Sequence, residues 1–591
     1  MGCDLGRGFD RWVLRCPENS GPSRGNVDLP TVARRACLQN AIQHDGTCQP
    51  KGLMGRIMGA HEEFRGDPGA VMKALMAAGA EVNAMSLDEQ KAALEAEAPE
   101  LLEAKKQEKR TGLKPLKNAE QGQVVLRFAP NPNGPLSFGH SRGVAIMAEY
   151  ARMYDGEVVL RFDDTDPQVK PPLYDPAVGI DAYQMIADDF AWLAGKPADR
   201  QVKASDRIEV YHDHARQLIE RGGAYVCTCD AEAWRDMKNQ GHPCPHRDIE
   251  VAAHLEAFAH MVAGDFAQGA AVLRVKTDIQ HKDPALRDWT AFRIVAADAI
   301  HPREAAGEIG HHVCWPLLDF ESAVEDHLQG VTHIIRGKDL MDSTRKQHFL
   351  YEHMGWTYPE TLYWGRVRMD EFGKFSTSGM RKGIEDGTYQ GWNDPRLPTL
   401  QALRRRGFTA QGLRTFWIDL GLSEKDIAVS MDNVEAPNKA ILDDDAPRFF
   451  FVPEAKTMSV SDLEGREAHP LVHPNHEDRG TRTLTATGTI HIPAADAAPQ
   501  VRLKDLGNIV IAGGSAFWAG ETLDRSMPII QWLPKDQAEP FTVLVPEGEE
   551  LREVSGFVEP GALEHVGRVV QFERFGLVAL ESATTGVWLH A

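Results

Sequence analysis

The chain has 591 residues, 42% hydrophobic, 8% aromatic and 26% charged, with a formal net charge of −21 from 86 acidic and 65 basic side chains. That length suggests about three to five domains, and the acidic balance argues against non-specific nucleic-acid binding through bulk charge while leaving room for a local basic groove. No run of about 18 apolar residues occurs, so no membrane span is expected.

The first twelve residues, MGCDLGRGFDRW, lack the apolar core of a signal peptide. Gly6 stands where N-myristoylation needs Ser or Thr. Four of the eight cysteines are scattered early (Cys3, Cys16, Cys37, Cys48), Cys314 is alone, and Cys227, Cys229 and Cys244 sit close together. Few, unevenly spaced cysteines in a long chain read as cytoplasmic. Residues 1–27 show no periodicity and are expected to be a disordered extension. Residues 28–118 read as an N-terminal helical domain, with Ser86 and Glu89 spaced as a capping box. Its end, EAKKQEKRTGLKPLKNAEQG, reads as a linker whose lysines form a solvated face.

At Val124 the texture changes. VVLRFA reads as a buried strand, SFGHSRGVAIMAEYARMY as loop then helix, and EVVLRFDDTDP as a second strand ending in an acidic loop. Ile180, Tyr183, Ile186, Phe190 and Leu193 then fall at helical spacing. Strand, helix, strand, helix implies a doubly wound parallel sheet, which binds ligands beyond the carboxyl ends of its strands. Residues 119–220 therefore read as the first half of a Rossmann-type domain. Residues 221–315 interrupt it, and strands resume with VTHIIRGKD, so that residues 316–390 form the second half. Residues 391–450 read as helical, and residues 451–591, with segments such as TLTATGTIHI broken by Gly and Pro, as all-β barrels.

The stretch RFAPNPNGPLSFGHSRGVA, Arg127 to Ala145, runs from a strand end through a Pro/Gly loop to Gly139-His140 at a helix start. Helix N-termini favour phosphate, Gly139 lets a ligand approach the backbone, and His140 can donate to charge developing on a phosphoryl group. Further on, Cys227-x-Cys229 and Cys244-x-His246 form two close pairs of soft donors that suit tetrahedral zinc, with His242 an alternative ligand; reduced cysteines without metal are the other reading.

RFAPNPNGPLSFGH resembles the first signature of class I aminoacyl-tRNA synthetases in the form found in glutamyl- and glutaminyl-tRNA synthetases, except that Ser137 replaces its first histidine. LRFDDTDP, GVTHIIRGKDLMDSTRKQ, KFSTSGMRKGI (similar to the second class signature) and GWNDPRLPTLQALRRRG resemble later blocks of the same family, in order over Val124–Gly407. NAIQHDG, AMSLDEQ, VRLKDLGNI and IIQWLP are similar to the archaeal glutamyl branch. The resemblance implies ATP-dependent formation of glutamyl-adenylate with Mg2+, then transfer to the 3′-terminal adenosine of tRNA(Glu), on the 2′-hydroxyl first. It also implies a cytoplasmic enzyme, expected to be a monomer. Archaeal relatives often charge tRNA(Gln) as well.

The resemblance further implies roles at matching positions. Pro130, Gly139 and His140 would hold ATP, and the mobile loop Phe375, Ser376, Thr377, Ser378 and Gly379 would close on the phosphates. Gly379 stands where many relatives carry the signature lysine, so Lys374, Arg381 and Lys382 are the nearby substitutes, while the Ser137 hydroxyl still offers a hydrogen bond. Arg127 and Arg336 would meet the two carboxylates of glutamate, since a guanidinium pairs a carboxylate bidentately and leaves a neutral amide uncompensated. Asp164 and Asp166 would meet the ammonium, with N-capping of the next turn as the alternative; Leu318 replaces a pocket tyrosine. The Cys/His pairs resemble the zinc site of some glutamyl enzymes, and the insertion would contact the tRNA acceptor end. For the anticodon, Trp518, Trp532 and Arg404–Arg406 are visible candidates, with core packing or a surface patch the competing account. Glutaminyl-tRNA synthetase, argued against by Arg336, and a non-catalytic tRNA-binding relative, supported by Ser137, Gly379 and Leu318, are the rival readings.

Overall fold

The computed structural model describes residues 28–43, 46–64, 66–98, 101, 112–369, 376–513 and 515–591. The expected extension 1–27, residues 103–111 of the lysine-rich linker, and two site candidates, Lys374 and Phe375, lie outside the described residues. The chain divides into two units, residues 1–110 and 111–591.

In the first unit the helices Leu29–Gln43, Met54–Ala60, Pro68–Asn83 and Leu87–Glu97 surround a core that includes Cys37, Leu38, Leu75, Val82 and Leu94. The start signals are the ones the residues announce. Asp67 caps the third helix by accepting from Ala70 N at 2.9 Å. Ser86 and Glu89 close a reciprocal box at the fourth, Ser86 N donating to Glu89 Oε2 at 2.8 Å and Glu89 N to Ser86 Oγ at 3.3 Å.

The second unit is built on a five-stranded sheet in the order Glu360–Trp364, His333–Gly337, Val125–Phe128, Glu157–Phe162, Arg200–Lys203. Every neighbouring pair is parallel. In chain order the strands read 5-4-1-2-3, so the direction of winding reverses beside Val125–Phe128. Both faces are covered, as a parallel sheet requires: Val144, Met147 and Tyr150 of helix Phe138–Tyr154 pack with Leu126, Leu160 and Phe162 in one core. The inserted segment forms a four-stranded antiparallel sheet, Ala224–Cys227, Val272–Val275, Thr290–Ile294 and Cys314–Pro316. It is not packed separately. Phe258, Phe292 and Trp315 share one core with Phe320, Leu350 and Tyr351 of the parallel-sheet domain, which ties the insertion to the site below.

Helices Leu400–Arg406, Ala410–Leu420 and Met431–Asp445 follow. Trp417 lies 4.9 Å from Phe138, centroid to centroid, and its Nε1 donates to Ser141 Oγ at 2.6 Å, so this region braces the first signature helix. The C-terminal part holds two seven-stranded sheets. In one, the strands at opposite ends of the order, Arg448–Phe449 and Phe451–Pro453, are almost consecutive in the chain, which makes it nearly a closed barrel. Of the aromatic and basic residues expected at the anticodon, Trp532 is fully buried with Nε1 donating to Lys504 O at 3.0 Å. Arg405 pairs with Glu581, and Arg406 donates to Leu589 O at 3.0 Å. These three hold elements together. Trp518 is half-buried, with the Arg466 guanidinium 4.2 Å above its ring.

His590, on the last strand, is 1% exposed, and burial pushes its imidazole down from 6.5 to about 4, helped by Lys439 and Arg406. Between those values the unfolded chain takes up a proton that the folded chain refuses. The stability this histidine contributes is therefore present above about pH 6.5 and lost as pH falls towards 4, by up to about 3 kcal/mol. The fluorescence-detected melting temperature is expected to fall on going from pH 7.5 to pH 5, with a shallower dependence in His590→Gln. A parallel dependence in both proteins would remove His590 as its cause.

Candidate active site

Strand Val125–Phe128 ends in the loop Ala129–Leu136, which feeds helix Phe138–Tyr154 with Ser137 at its N-cap. The loop is clamped from three sides. Asp163 N donates to Pro130 O at 3.1 Å and Asn131 Nδ2 to Asp163 O at 2.9 Å, joining it to the end of the second strand. Leu136 N donates to the buried Asp189 at 2.9 Å. Phe138 N donates to Pro398 O and Leu400 N to Leu136 O, both at 2.8 Å.

At the helix start, Ser137 N donates to His140 Nδ1 at 3.2 Å, and Ser137 Oγ lies at the same distance from that nitrogen. Because Nδ1 accepts, the proton of the neutral ring resides on Nε2, which is thereby a donor. Gly139 and His140 are exposed at the first turn, where Phe138 N is taken by Pro398 O and the Gly139 N–H faces outward for an anion. Ser137, in the position of the missing histidine, orients His140 from the cap.

The second signature helix, Thr377–Glu385, starts against this loop. A Cβ on Gly134 would come within 2.9 Å of Thr377 Cγ2 and 3.0 Å of the Trp392 ring, so the backbone approaches as closely as it does only because residue 134 is glycine. Ser376 caps that helix by accepting from Gly379 N at 3.1 Å and lies 3.2 Å, Oγ to Oγ, from Ser378. Arg381 is paired with Glu385 on the exposed side at 2.8 Å.

Beyond the carboxyl ends of the strands, Arg127, Arg161, Asp163, Ser322, Arg336 and Leu318 line one small pocket. Arg127 comes from the first strand, Arg161 from the second and Asp163 from just past its end, and Arg336 from the strand that pairs on the other side of the first. Asp326, 1% exposed, sits at the centre of the arginines. Its Oδ1 accepts from Arg161 Nη1 at 2.8 Å and Arg127 Nε at 3.2 Å, and its Oδ2 lies 3.9 Å from Arg336 Nη2. Arg161 also donates to Asp163 at 2.7 Å.

The electrostatics follow from burial. Desolvation opposes charge on Asp326, yet the three guanidinium groups hold its carboxyl below the usual range. Burial and Asp163 together push the Glu321 carboxyl, 3.6 Å from Arg161, well above the usual range. Three guanidinium groups thus converge on Asp326, with Asp163 beside Arg161. Arg336 Nε is buried without a hydrogen-bond partner among the described residues. The arrangement suits an anionic ligand next to a phosphate site.

The two acidic residues expected at the ammonium are elsewhere. Asp164 is fully buried and accepts from Ser205 N at 2.7 Å, Ser205 Oγ at 2.6 Å and Tyr183 O–H at 2.6 Å. Asp166 caps the next turn through Gln168 N and Val169 N, and pairs with Arg293 at 2.6 Å. Side chains alternate along a strand, so Arg161 and Asp163 share one face and Asp164 takes the other. That alternation is present in LRFDD and points to Asp163.

Residues 123–444 match the family model for the catalytic domain of class I tRNA synthetases (E and Q), and residues 446–522 match the anti-codon binding domain of the same synthetases. The chain is 44% identical to the glutamate–tRNA ligase of Methanosarcina acetivorans over 94% of its own length and 97% of that protein. It is 46% identical to the one from Methanococcoides burtonii, with 85% and 87% covered, and 42% identical to the one from Archaeoglobus fulgidus, with 94% and 98% covered. The chain belongs to the class I tRNA synthetases of the glutamyl and glutaminyl kind.

In this class I synthetase the insertion carries a second constellation. Cys227 ends a strand and Cys229 follows; Asp230 caps helix Ala231–Gln240 by accepting from Glu232 N at 2.9 Å. Gly241 ends that helix at φ +72°, a conformation that favours glycine, and turns the chain back so that Cys244 and His246 face the first pair. All four donor atoms lie within 4.8 Å of one another. Cys229 Sγ to Cys244 Sγ is 3.4 Å, Cys227 Sγ to Cys244 Sγ 3.5 Å, and His246 Nδ1 stands 3.4 Å from Cys229 Sγ and 3.3 Å from Cys244 Sγ. Tetrahedral zinc with bonds of about 2.3 Å places sulfurs about 3.8 Å apart, so the residues fit the ion. The other ring nitrogen, His246 Nε2, lies 3.0 Å from Thr228 Oγ1, which orients the ring. His242 is exposed and outside the cluster. Between the two C-terminal sheets of the synthetase, Arg448, Lys504, Arg574 and His469 line an open polar cleft together with Glu467 and Glu573.

Proposed function

We propose that this chain is a glutamate–tRNA ligase that activates glutamate with ATP and transfers it to the 3′-terminal adenosine of tRNA(Glu). The observation that supports this most is the convergence of Arg127 and Arg336 on one pocket next to the first signature loop.

Glutamate enters with its side-chain carboxylate on Arg336, its α-carboxylate near Arg127 and its ammonium on Asp163. ATP lies along the first turn of helix Phe138–Tyr154, where the Gly139 backbone and His140 Nε2–H donate to the phosphates. An oxygen of the α-carboxylate attacks the α-phosphorus, the bond to the bridging oxygen breaks, and pyrophosphate leaves. The 2′-hydroxyl of the terminal adenosine then attacks the acyl carbon of glutamyl-adenylate and AMP leaves. The chain's own residues align the reactants and stabilise charge on the phosphates. Magnesium, when bound, would supply further neutralisation of that charge. The Ser376–Gly379 turn and Lys382 close over the phosphates. The polar cleft between the C-terminal sheets is the place for anticodon bases, whose splayed form suits Arg and Lys contacts.

Cys227, Cys229, Cys244 and His246 would hold zinc, which would cross-link the two halves of the insertion. About one equivalent of zinc per chain is expected by elemental analysis, with Cys244→Ser losing the metal and becoming susceptible to proteolysis between residues 227 and 246. Metal-free protein with an unchanged digestion pattern would remove zinc from the account.

The deciding experiment is ATP-dependent attachment of labelled glutamate and labelled glutamine to tRNA(Glu) and tRNA(Gln), each tested separately. Glutamate on tRNA(Glu) is the expected result, and glutamate on both tRNAs would make the enzyme non-discriminating. Glutamine attachment would overturn the role of Arg336. Binding of tRNA without any attachment would make the chain a binding protein.

A further inference from the structure

Arg336 is held by a residue that does not touch the pocket. Its Nη1 and Nη2 both donate to Gln347 Oε1, at 3.2 Å each. Gln347 is fully buried, on the next helix, Met341–Met354. Its amide can point only one way. Nε2 donates to Ser322 Oγ at 2.7 Å and to Asp319 O at 3.2 Å, while Tyr358 O–H donates to Oε1 at 2.7 Å. A flipped amide would set its N–H2 against two guanidinium donors and a hydroxyl, and its oxygen against a carbonyl.

The chemistry of that acceptor matters. A guanidinium in a buried site needs an acceptor to fix it, and two kinds exist. A carboxylate would fix Arg336 and also neutralise it. An amide oxygen fixes it and leaves its charge unmatched. The nearest carboxylate, Asp326, does little to change this, since it is 3.9 Å from Arg336 Nη2 and 2.8 Å from Arg161. With both Nη groups turned towards Gln347, Nε remains a buried donor without a partner among the described residues. A ligand that brings one negative charge completes the arrangement; a ligand amide does not.

We infer that Gln347 is a specificity-determining positioning residue: by holding Arg336 with an uncharged acceptor, it keeps the pocket selective for a side-chain carboxylate over a side-chain amide. The inference rests on the proposed contact between Arg336 and the glutamate side chain.

The test compares Gln347→Glu, Gln347→Met and Arg336→Gln in ATP–pyrophosphate exchange with glutamate and with glutamine, after circular dichroism has established folding. In Gln347→Glu the introduced carboxylate pairs with Arg336, and the glutamate-to-glutamine ratio of kcat/KM is expected to fall by about 100-fold. In Gln347→Met the charge of Arg336 survives but its position does not. Glutamate KM is expected to rise about tenfold with kcat within about twofold, and selectivity is largely kept. Equal losses of selectivity in the two Gln347 variants would overturn the inference, because a merely structural role does not depend on the introduced charge. So would full selectivity in folded Gln347→Glu while Arg336→Gln loses it. Full selectivity in Arg336→Gln would overturn the Arg336 contact itself, and the inference with it. If Gln347→Glu does not fold, the KM–kcat split of Gln347→Met decides, and an unchanged glutamate KM counts against Gln347.

Discussion

Replacing Arg336 by Leu is expected to lower kcat/KM for glutamate about a thousandfold, measured by ATP–pyrophosphate exchange. The guanidinium is 5% exposed, held by Gln347 Oε1, and carries a buried N–H with no partner among the described residues. A carboxylate that docks there leaves water, and the loss of its partner in such a place costs about 3–5 kcal/mol, or two to four powers of ten at about 1.4 kcal/mol each. Glutamine, whose amide the pocket does not match, should lose far less, so that selectivity collapses rather than all activity. The leucine also relieves Asp326 of its most distant cation without touching the closer ones, so the melting temperature should stay within a few degrees. A loss smaller than tenfold would place the side-chain carboxylate on another residue, with Arg161 the first alternative.

The second large effect is on Asp326. Asp326→Asn keeps the shape and an acceptor but removes the charge that three buried arginines share. The cluster would lose one negative charge in a place where water cannot screen the arginines. Breaking a buried pair in this way costs about 3–5 kcal/mol. The melting temperature of the catalytic region should drop by several degrees, and at temperatures where the variant is folded, glutamate KM should rise because Arg127 loses its anchor. Thermal denaturation followed by circular dichroism reads the first effect and steady-state kinetics the second. Unchanged stability would mean that the three arginines do not depend on the Asp326 charge.

Much of the site is legible in the order of the residues alone. The strand–loop–helix around RFAPNPNGPLSFGH, the resumption of strands at VTHIIRGKD, and the all-β end all carry local patterns of hydrophobicity and turn residues. The Cys and His pairs of the insertion are visible as pairs, and their meeting requires only a short helix with a glycine stop between them.

What stays hidden is of another kind. Asp326 lies in LDFESAVEDHL, a helix with several acidic residues, where one acid looks like the next. Its place among three arginines depends on how that helix crosses the ends of strands, two of them more than a hundred residues away in the chain. Gln347 is one more polar residue on an amphipathic helix until Ser322, Tyr358 and Arg336 close around it. Asp163 and Asp164 are neighbours with the same chemistry, and only the direction in which each leaves the strand separates a pocket carboxylate from one enclosed by Ser205 and Tyr183. Ser137 is readable as a missing histidine, but its cap on His140 Nδ1, which directs the proton to Nε2, is a matter of geometry.

By itself the sequence determined the family, the order of the elements and the residue types brought to each loop, because these follow from short-range patterns that do not depend on distant neighbours. Only the tertiary structure decided which arginines share a carboxylate, which aspartate lines the pocket and which glutamine holds Arg336. Those are questions of charge in a desolvated space, where a few ångströms and one direction of a side chain change the sign of the interaction.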